Sequence, residues 1–359
     1  MFLRSLQLTQ FRCFETLRLD LPPGLTLFHG NNAQGKTSIL EAACLLTRLQ
    51  SPRTSVLGDC VRFGETALAV GGTLVNDEVS ADLRFQYRES GRRLLVDGEN
   101  QSRAANYLVH SARVVWMAND DLALVRGGGE GRRRYLDFMA GQLFPEYRDA
   151  LRSYERALRS RNFLLKRDAS PRWAEIDPYT RLLQTHGTIL TDARRSLIDR
   201  LQPHAAAAQA HVAGGSESLL LAYESASGEG DELAAHLEAL RPEEQRKRQT
   251  LAGPHRDDLA LFMEGKPAGK FASEGQQRTI ALALKLGQAH LFLANGEPPP
   301  LILIDDVFGE LDPRRRNALM SAWPKESQKL ITTTHLDWLD ETWEDGHRLT
   351  VAAATVSAG

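Results

Sequence analysis

Cysteine is scarce in this chain. Cys13, Cys44 and Cys60 are far apart, form no C-x-x-C pair and cannot all pair with one another. A disulfide framework is therefore excluded, and a reducing cytoplasm is the simplest compartment. Long apolar runs are also missing. The longest are short, such as Leu301-Ile302-Leu303-Ile304, where a membrane helix needs about 20 apolar residues. The N-terminus carries Arg4, Arg12 and Glu15 among its apolar residues and has no small-residue cleavage site, so no signal peptide is read. There is no excess of positive charge. A net charge of −2 rules out a uniformly basic nucleic-acid binder and leaves room only for a local patch. Internal repeats and low-complexity tracts are absent as well. What remains is ordinary globular usage, 42% hydrophobic and 25% charged. At 359 residues the chain exceeds the ~250–300 at which one core stops growing, so two lobes are expected.

Residues 2–8 and 16–21 alternate apolar and polar, as half-buried strands do. Pro22-Pro23-Gly24 marks a turn, and 25–29 is a short buried strand. A Gly-rich loop leads into a helical stretch at 37–46. Residues 67–96 predict a small antiparallel sheet with turns at Gly71-Gly72 and Asp97-Gly98. From 145 to 212 the composition turns to Leu, Ala and Arg. The spacing of Leu151, Tyr154, Leu158, Phe163 and Leu164 predicts packed helices, split by Pro171 and Pro178. A loop at 226–230 and a charged helix at 231–248 follow. The chain then returns to strands at 259–263, 301–304 and 329–334, with a turn at Glu264-Gly265-Lys266-Pro267 and an apolar helix at 279–293.

The loop after the third strand reads Gly30-Asn31-Asn32-Ala33-Gln34-Gly35-Lys36-Thr37-Ser38, which fits G-x-x-x-x-G-K-[ST] between a strand and a helix. Glycines let backbone N–H groups curve around an anion, and the helix adds its positive end. Lys36 would reach the β- and γ-phosphates of ATP, and Thr37 would ligate Mg2+. Leu301-Ile302-Leu303-Ile304-Asp305-Asp306 is an apolar strand ending in two acids, expected centrally in a parallel sheet beside the P-loop strand. Asp305 would help hold Mg2+, and Asp306 would orient or deprotonate the attacking water. Ser273-Glu274-Gly275-Gln276-Gln277-Arg278 opens a helix about thirty residues before Asp305. Alone it reads as an N-cap; its order relative to the other two motifs gives it a second meaning.

That order resembles the ABC-type ATPases. Ser273, Gly275, Gln276 and Gln277 resemble the signature motif, Glu310-Leu311-Asp312 the D-loop, and His335, after the strand at 329–334, the switch histidine. The Leu3…Phe11-Arg12 pattern resembles the SMC-like branch rather than transporter ATPases. Four segments are similar to the RecF family of bacterial recombination-repair proteins: 116–122, 131–137, 253–258, and the signature with Arg278. Met117-Ala118-Asn119 departs from the Pro-Glu-Asp-Leu form of that family, so no glutamine-loop residue is assigned.

The resemblance implies an α/β fold: an ABC-type P-loop ATPase head with a mixed sheet and an antiparallel β subdomain, an inserted α-helical lobe, and no long coiled coil. Residues 1–140 and 251–359 would form the head and 141–250 the lobe. It implies that the signature of one chain meets the ATP on the P-loop of another, giving an ATP-dependent homodimer. Where transporter relatives usually carry Glu, Asp306 predicts slow turnover. It further implies binding to single-stranded, gapped or junction DNA, and work with RecO and RecR in loading RecA during repair, replication restart and SOS induction, with no membrane partner. Residues 126–167 hold eleven Lys/Arg against five Asp/Glu, and Arg132, Arg133 and Arg134 are the candidate phosphate contacts. His255-Arg256-Asp257-Asp258 reads as structural or phosphate-contacting rather than metal-binding, because adjacent strand residues point to opposite faces. Two alternatives stand beside this reading. One is a transporter's ATP-binding subunit; the other is a monomeric P-loop kinase or hydrolase.

Overall fold

The structure is a computed structural model. It describes every residue except 169, 216, 227–232, 295, 338, 340–345 and 359, and only the backbone of 310. In chain order the elements are β1 (Phe2–Phe11), β2 (Phe14–Asp20), β3 (Leu25–His29), α1 (Lys36–Arg48), β4 (Ala67–Asn76), β5 (Val79–Arg88), β6 (Gly91–Val96), β7 (Glu99–Asn100), α2 (Ala104–Leu108), β8 (Val114–Ala118), α3 (Ala123–Arg126), α4 (Gly129–Leu143), α5 (Tyr147–Arg167), α6 (Trp173–Ala213), β9 (Leu219–Glu224), α7 (Leu233–Ala239), α8 (Arg241–Lys247), β10 (Asp258–Met263), β11 (Lys266–Pro267), α9 (Ala268–Phe271), α10 (Glu274–Leu293), β12 (Leu301–Asp305), α11 (Pro313–Ala322), β13 (Lys329–Thr333), β14 (His347–Ala352) and β15 (Thr355–Ala358). They form two compact units, Met1–Asp121 with Leu284–Gly359, and Leu122–Ala283. The sequence boundaries expected at 140/141 and 250/251 differ from these: the first falls inside α4, and the second unit reaches through the signature-like turn. Among the described residues no helix is long and apolar enough to cross a membrane.

The first unit holds two six-stranded sheets. One, ordered β2-β1-β4-β5-β6-β7, is antiparallel throughout. Its strands bury alternate residues, Leu6 and Leu8 on β1 and Leu83 and Phe85 on β5, as a sheet with one wet face must. Gly71-Gly72 is no turn. Both glycines sit inside β4 opposite Gln7 and Leu6, and a Cβ on Gly72 would lie 2.3 Å from the Ser5 carbonyl oxygen. The pair serves close strand approach, and the chain reverses instead at Asp77, whose φ is +52°. The other sheet is ordered β15-β14-β3-β13-β12-β8, parallel except for the β14–β15 hairpin. Every residue of β13 and the first four of β12 are buried, which explains the unbroken apolar run of β12; β13 buries Lys329, Thr332 and Thr333 beside Leu330 and Ile331. Here an expectation is corrected. The acid-ended strand β12 is not beside the P-loop strand; β13 lies between β3 and β12. The hydroxyl-rich end of β13, Thr332 and Thr333, is thereby set between the two motifs.

The second unit is built on α5 and α6 with a small antiparallel sheet, β11-β10-β9. Pro178 and Pro203 both lie within α6, so Pro178 splits nothing; it falls early in the helix, and Pro171 lies in the preceding connection. The buried stripe of α5 is Tyr147, Ala150, Tyr154, Ala157, Arg161 and Leu165. It shares only Tyr154 with the stripe expected from apolar spacing, and Phe163 is 64% exposed. The register shifted because arginines take inner positions when they are paired. Arg161 is 1% exposed and meets the fully buried Glu244 at 2.7 Å. Residues 231–248 form two short helices rather than one, with 231–232 outside the described residues; the loop expected at 226–230 likewise lies outside them from 227 onward. Helix α10 begins at Glu274, five residues before the expected start.

The family-like segments 131–137 and 253–258 meet within this unit. Arg132 clamps Asp258 through two bonds of 2.7 and 2.6 Å, Arg133 donates to the Asp257 carbonyl at 2.9 Å, and Arg194 joins Asp137 and the Pro254 carbonyl, each at 2.6 Å. Asp257 accepts from the Tyr223 hydroxyl and from Ala226 N at 2.8 Å. Gly253, at φ +122°, lets the chain pass so close to Tyr154 that a Cβ would sit 2.4 Å from its hydroxyl. These contacts assign the 255–258 run to packing, and no metal-like cluster of His, Cys, Asp or Glu exists among the described residues.

Candidate nucleotide site

The loop from Gly30 to Gly35 owes its shape to three residues in the left-handed region, Gly30 at φ +147°, Ala33 at +63° and Gly35 at +109°. Gly30 is squeezed against β14, where a Cβ would lie 2.2 Å from the Val351 carbonyl oxygen. Gly35 packs on Cys13 and Phe14, each 2.8 Å from a hypothetical Cβ. The tip is pinned as well: Gln34 Oε1 accepts from Ala353 N at 2.6 Å and its carbonyl from Ala354 N at 3.4 Å. Asn31, Asn32 and Ala33 remain exposed, while Ser38 is buried in the first turn of α1. The loop's shape is thus fixed by the chain's own contacts.

Lys36 lies back along this loop, donating to the carbonyls of Gly30 at 2.5 Å and Asn31 at 2.8 Å. Burial pulls its ammonium below the usual lysine range, and the negative charges of Asp306 and Asp305 act against that shift. Thr37 donates to Asp305 Oδ1 at 2.8 Å, and Thr332 of β13 donates to the same oxygen at 2.7 Å. Burial pushes the Asp305 carboxyl up, opposed by those two hydroxyls. Asp306 stands at φ +52°, a conformation Asp tolerates better than most residues. Its N–H donates to Thr332 Oγ1 at 3.0 Å, and its carbonyl accepts from Asn119 Nδ2 at 3.1 Å. The Thr37 hydroxyl and the Asp305 carboxylate form a hard-oxygen pair at contact distance, the donor chemistry that suits a magnesium ion keeping most of its waters.

The cavity in front of this cradle is about 900 Å³. Its wall includes residues that motif spacing does not expose. Arg12 donates to both oxygens of the buried Glu41 at 2.9 and 2.6 Å, and Arg53 reaches the same carboxylate at 3.3 Å. The hydrogen bond to Glu41 raises the Arg12 guanidinium above its ordinary value. Nearby, burial drives the Cys60 thiol up to about 11. Arg12 is legible only as part of an N-terminal pattern, and Asn119 only as part of the family-like segment 116–122, with no role assigned to it. Every residue lining the cavity belongs to the first unit.

The remaining candidates lie elsewhere. His335 is exposed after β13, its carbonyl accepting from Thr333 Oγ1 at 2.8 Å. Asp312 caps α11, accepting from Arg315 N at 3.0 Å and the Arg315 guanidinium at 2.7 Å; the backbone bond holds its carboxyl below the usual range. In the second unit, Ser273 is exposed and forms a reciprocal cap with Gln276: Ser273 N donates to Gln276 Oε1 at 2.8 Å, and Gln276 N to Ser273 Oγ at 3.3 Å. Gln277 is buried and tied to Arg126 and to the Ala272 carbonyl, the latter at 2.8 Å. Gly275 lies in the first turn of α10. Arg132 and Arg133 are engaged internally, as described; Arg134 is 76% exposed and paired with Glu130 in its own helix.

A P-loop on a parallel sheet, an acid pair at the end of β12 and a capped signature-like helix define an ABC-type P-loop ATPase head of the SMC-like class. Comparison with known proteins agrees. A family model for an AAA domain matches residues 5–113. The DNA replication and repair protein RecF of Synechococcus sp. (strain JA-2-3B'a(2-13)) is 38% identical over 96% of this chain and 94% of its own. That of Symbiobacterium thermophilum is also 38% identical, over 99% and 98%. The chain belongs to the RecF family. A solved structure of the recombination mediator protein RecF with ATP, from the RecFOR pathway, superposes with a TM-score of 0.88 at 25% identity, covering 100% of this chain and 97% of that one. An Smc head, at 16% identity and a TM-score of 0.57 over 100% and 97%, shares the fold.

Proposed function

We propose that the chain is an ATP-gated DNA clamp of recombinational repair. The observation that carries this is a cavity of the first unit lined by Lys36, Thr37 and Asp306, with Thr37 bonded to Asp305 behind it, while the exposed Ser273 cap belongs to the second unit. The loop from Gly30 to Gly35 and the first turn of α1 would wrap the triphosphate. Lys36 would exchange its two carbonyl partners for the β- and γ-phosphates, and its partial desolvation favours that exchange. Thr37 and Asp305 would hold Mg2+, which supplies charge neutralisation between the outer phosphates. Asp306, with His335, would position the attacking water.

Ser273 and the N–H groups that follow it would complete the site of a second copy by touching its γ-phosphate, and Asp312 would lie along the same interface. Two such sites make a two-fold dimer that ATP closes and hydrolysis loosens. Asp306 is one methylene shorter than Glu, and its backbone is already committed to Thr332 and Asn119. Its carboxylate is therefore less able to follow the water, which supports slow turnover, below about one per second at the bottom of the usual enzyme range.

The DNA reading now rests less on the Arg132–Arg134 run, since two of its members hold the second unit together. A row on the antiparallel sheet of the first unit supports it better. Arg84 and Arg88 alternate on β5, Arg93 pairs with the intervening Gln86 from β6, all three are exposed, and none makes an ion pair among the described residues. Such a row suits phosphates of gapped or junction DNA. RecO and RecR as partners, with RecA loaded downstream, are the family's implied setting. An assay of ATP hydrolysis with and without gapped duplex tests the reading. Slow hydrolysis raised by DNA supports it; turnover at motor rates, or none with any DNA, opposes it. Changing Arg84, Arg88 and Arg93 to Glu should lower the salt slope of DNA binding by about one per lost phosphate contact.

A further inference from the structure

The signature-like turn of the second unit is held by a side chain outside every motif. Helix α6 ends at Ala213, and the chain leaves it through Gly214 at φ +84° and Gly215 at φ +95°. Both N–H groups donate to the Ala210 carbonyl, at 3.0 and 2.8 Å. Two left-handed residues in a row turn the chain sharply. Ser218 is fastened beyond them: its N–H donates to Glu264 Oε1 at 2.5 Å, and its carbonyl accepts from Glu264 N at 3.2 Å. Between these anchors stands Glu217, and its two oxygens go different ways. Oε2 accepts from Nε2 of Gln209, a fully buried residue of α6, and Oε1 accepts from Nε2 of Gln276, each at 2.9 Å. Gln276 is the residue whose Oε1 accepts from Ser273 N and whose own N–H donates to Ser273 Oγ. A chain of hydrogen bonds thus runs from α6 through one carboxylate to the exposed serine, wholly within the second unit.

We infer that Glu217 is a positioning residue for the signature turn, fixing which way the Gln276 amide faces and, through it, where the Ser273 hydroxyl donates. The inference rests on the reading that Ser273 meets a γ-phosphate held by a second copy. A carboxylate only accepts, so it takes the NH2 end of the Gln276 amide and leaves the oxygen for Ser273 N. A bond to a charged acceptor is about twice as strong as a neutral one. That is enough to settle an amide that would otherwise be free to turn over and set its NH2 against the Ser273 N–H. With the amide fixed, Gln276 N occupies a lone pair of Ser273 Oγ. The serine proton is left to point outward, where a phosphate oxygen would take it. The same geometry accommodates a neutral amide at 217. Oε1 of Gln209 is buried and has no bond among the described residues. A glutamine at 217 would therefore accept from Gln276 and give its own NH2 to a turned-over Gln209.

The test compares full-length wild type, Glu217→Ala and Glu217→Gln. Hydrogen exchange of the Ser273 amide, followed by NMR without nucleotide, should quicken several-fold in Glu217→Ala and stay as in wild type in Glu217→Gln. Calorimetric titration with ADP, which lacks the γ-phosphate, should give all three affinities within about two-fold, because the P-loop belongs to the other unit. Sedimentation velocity with ATP and Mg2+ should show dimer formation weakened about ten-fold or more in Glu217→Ala, since each dimer holds two such turns, and restored in Glu217→Gln. Unchanged exchange at Ser273, or dimerisation of Glu217→Ala equal to wild type, would overturn the inference. Tighter dimerisation of Glu217→Ala would overturn it as well, by making the carboxylate a repelling charge instead of a support. So would a Glu217→Gln protein as impaired as Glu217→Ala, because charge and not amide orientation would then matter. If exchange behaves as expected while wild type stays monomeric with ATP, the positioning role stands and the two-copy reading beneath it falls.

Discussion

Glu244→Gln should destabilise the second unit severely while sparing the nucleotide cradle of the first. The native carboxylate is fully buried and accepts from Arg161 at 2.7 Å and from Leu251 N at 2.9 Å. Arg161 is 1% exposed, and its other donors go to Thr250 Oγ1 at 2.8 Å and Thr180 Oγ1 at 3.0 Å. Glutamine keeps the shape but loses the charge, and its amide NH2 must face a donor on one side or the other. Leaving a buried guanidinium uncompensated costs about 3–5 kcal/mol, against a total of about 5–15 for a typical domain. For a unit of this size, Leu122–Ala283, that corresponds to a fall in its melting temperature of roughly 6–20 °C. Scanning calorimetry, with ATP titration on the same sample, reads both quantities. The double change Arg161→Met with Glu244→Leu should recover most of the loss, since replacing both charges by apolar groups is often neutral. A Glu244→Gln protein within about 1 kcal/mol of wild type, or a double variant no better than the single one, would refute the reasoning.

Three further outcomes are expected. Gly30→Ala should fold but lose ATP affinity at least a hundred-fold in titration, because its φ is closed to alanine and its Cβ would collide with the Val351 carbonyl, a backbone atom that cannot step aside. Asp305→Asn still accepts from Thr37 and Thr332 and should melt like wild type, whereas Asp305→Ala strands the buried Thr332 hydroxyl and costs about 1–3 kcal/mol; both should lose magnesium-dependent nucleotide binding. Acid should weaken the second unit through His255, whose imidazole burial lowers to about 4. Its Nδ1 sits 2.7 Å from the Tyr154 hydroxyl and its Nε2 3.3 Å from the Thr250 carbonyl. The unfolded chain takes up the proton near pH 6.5 and the native one only near 4, so stability falls across that window by about 3 kcal/mol; urea titrations at several pH values should show this dependence flattened in His255→Gln.

The P-loop was legible in the sequence because its chemistry is contiguous: one strand, one turn and one helix carry all its parts. The acid pair was legible for the same reason, yet its neighbour was not. That β13 separates β12 from β3 is a matter of sheet order, which no local pattern encodes. The stripe of α5 was misread because Arg161 looks like a surface residue until Glu244, 83 positions away, is brought to it. The same blindness made Arg132 and Arg133 look like free cations, when Asp258 and the Asp257 carbonyl hold them. Phe63 lines the cavity from a segment with no motif of its own, and Asn119, though inside the family-like segment 116–122, is brought to Asp306 only by the folded sheet.

The central claim is that two copies share each triphosphate, one giving Lys36 and the other Ser273. Sedimentation velocity with ATP and Mg2+ tests it directly, comparing wild type with Lys36→Ala, Ser273→Arg and an equal mixture of the two variants. The account predicts a dimer for wild type, monomers for each variant alone, and a dimer restored in the mixture, where one whole site is rebuilt from the intact halves. A nucleotide-saturated wild type that stays monomeric, or a Ser273→Arg protein that dimerises as wild type does, would contradict it.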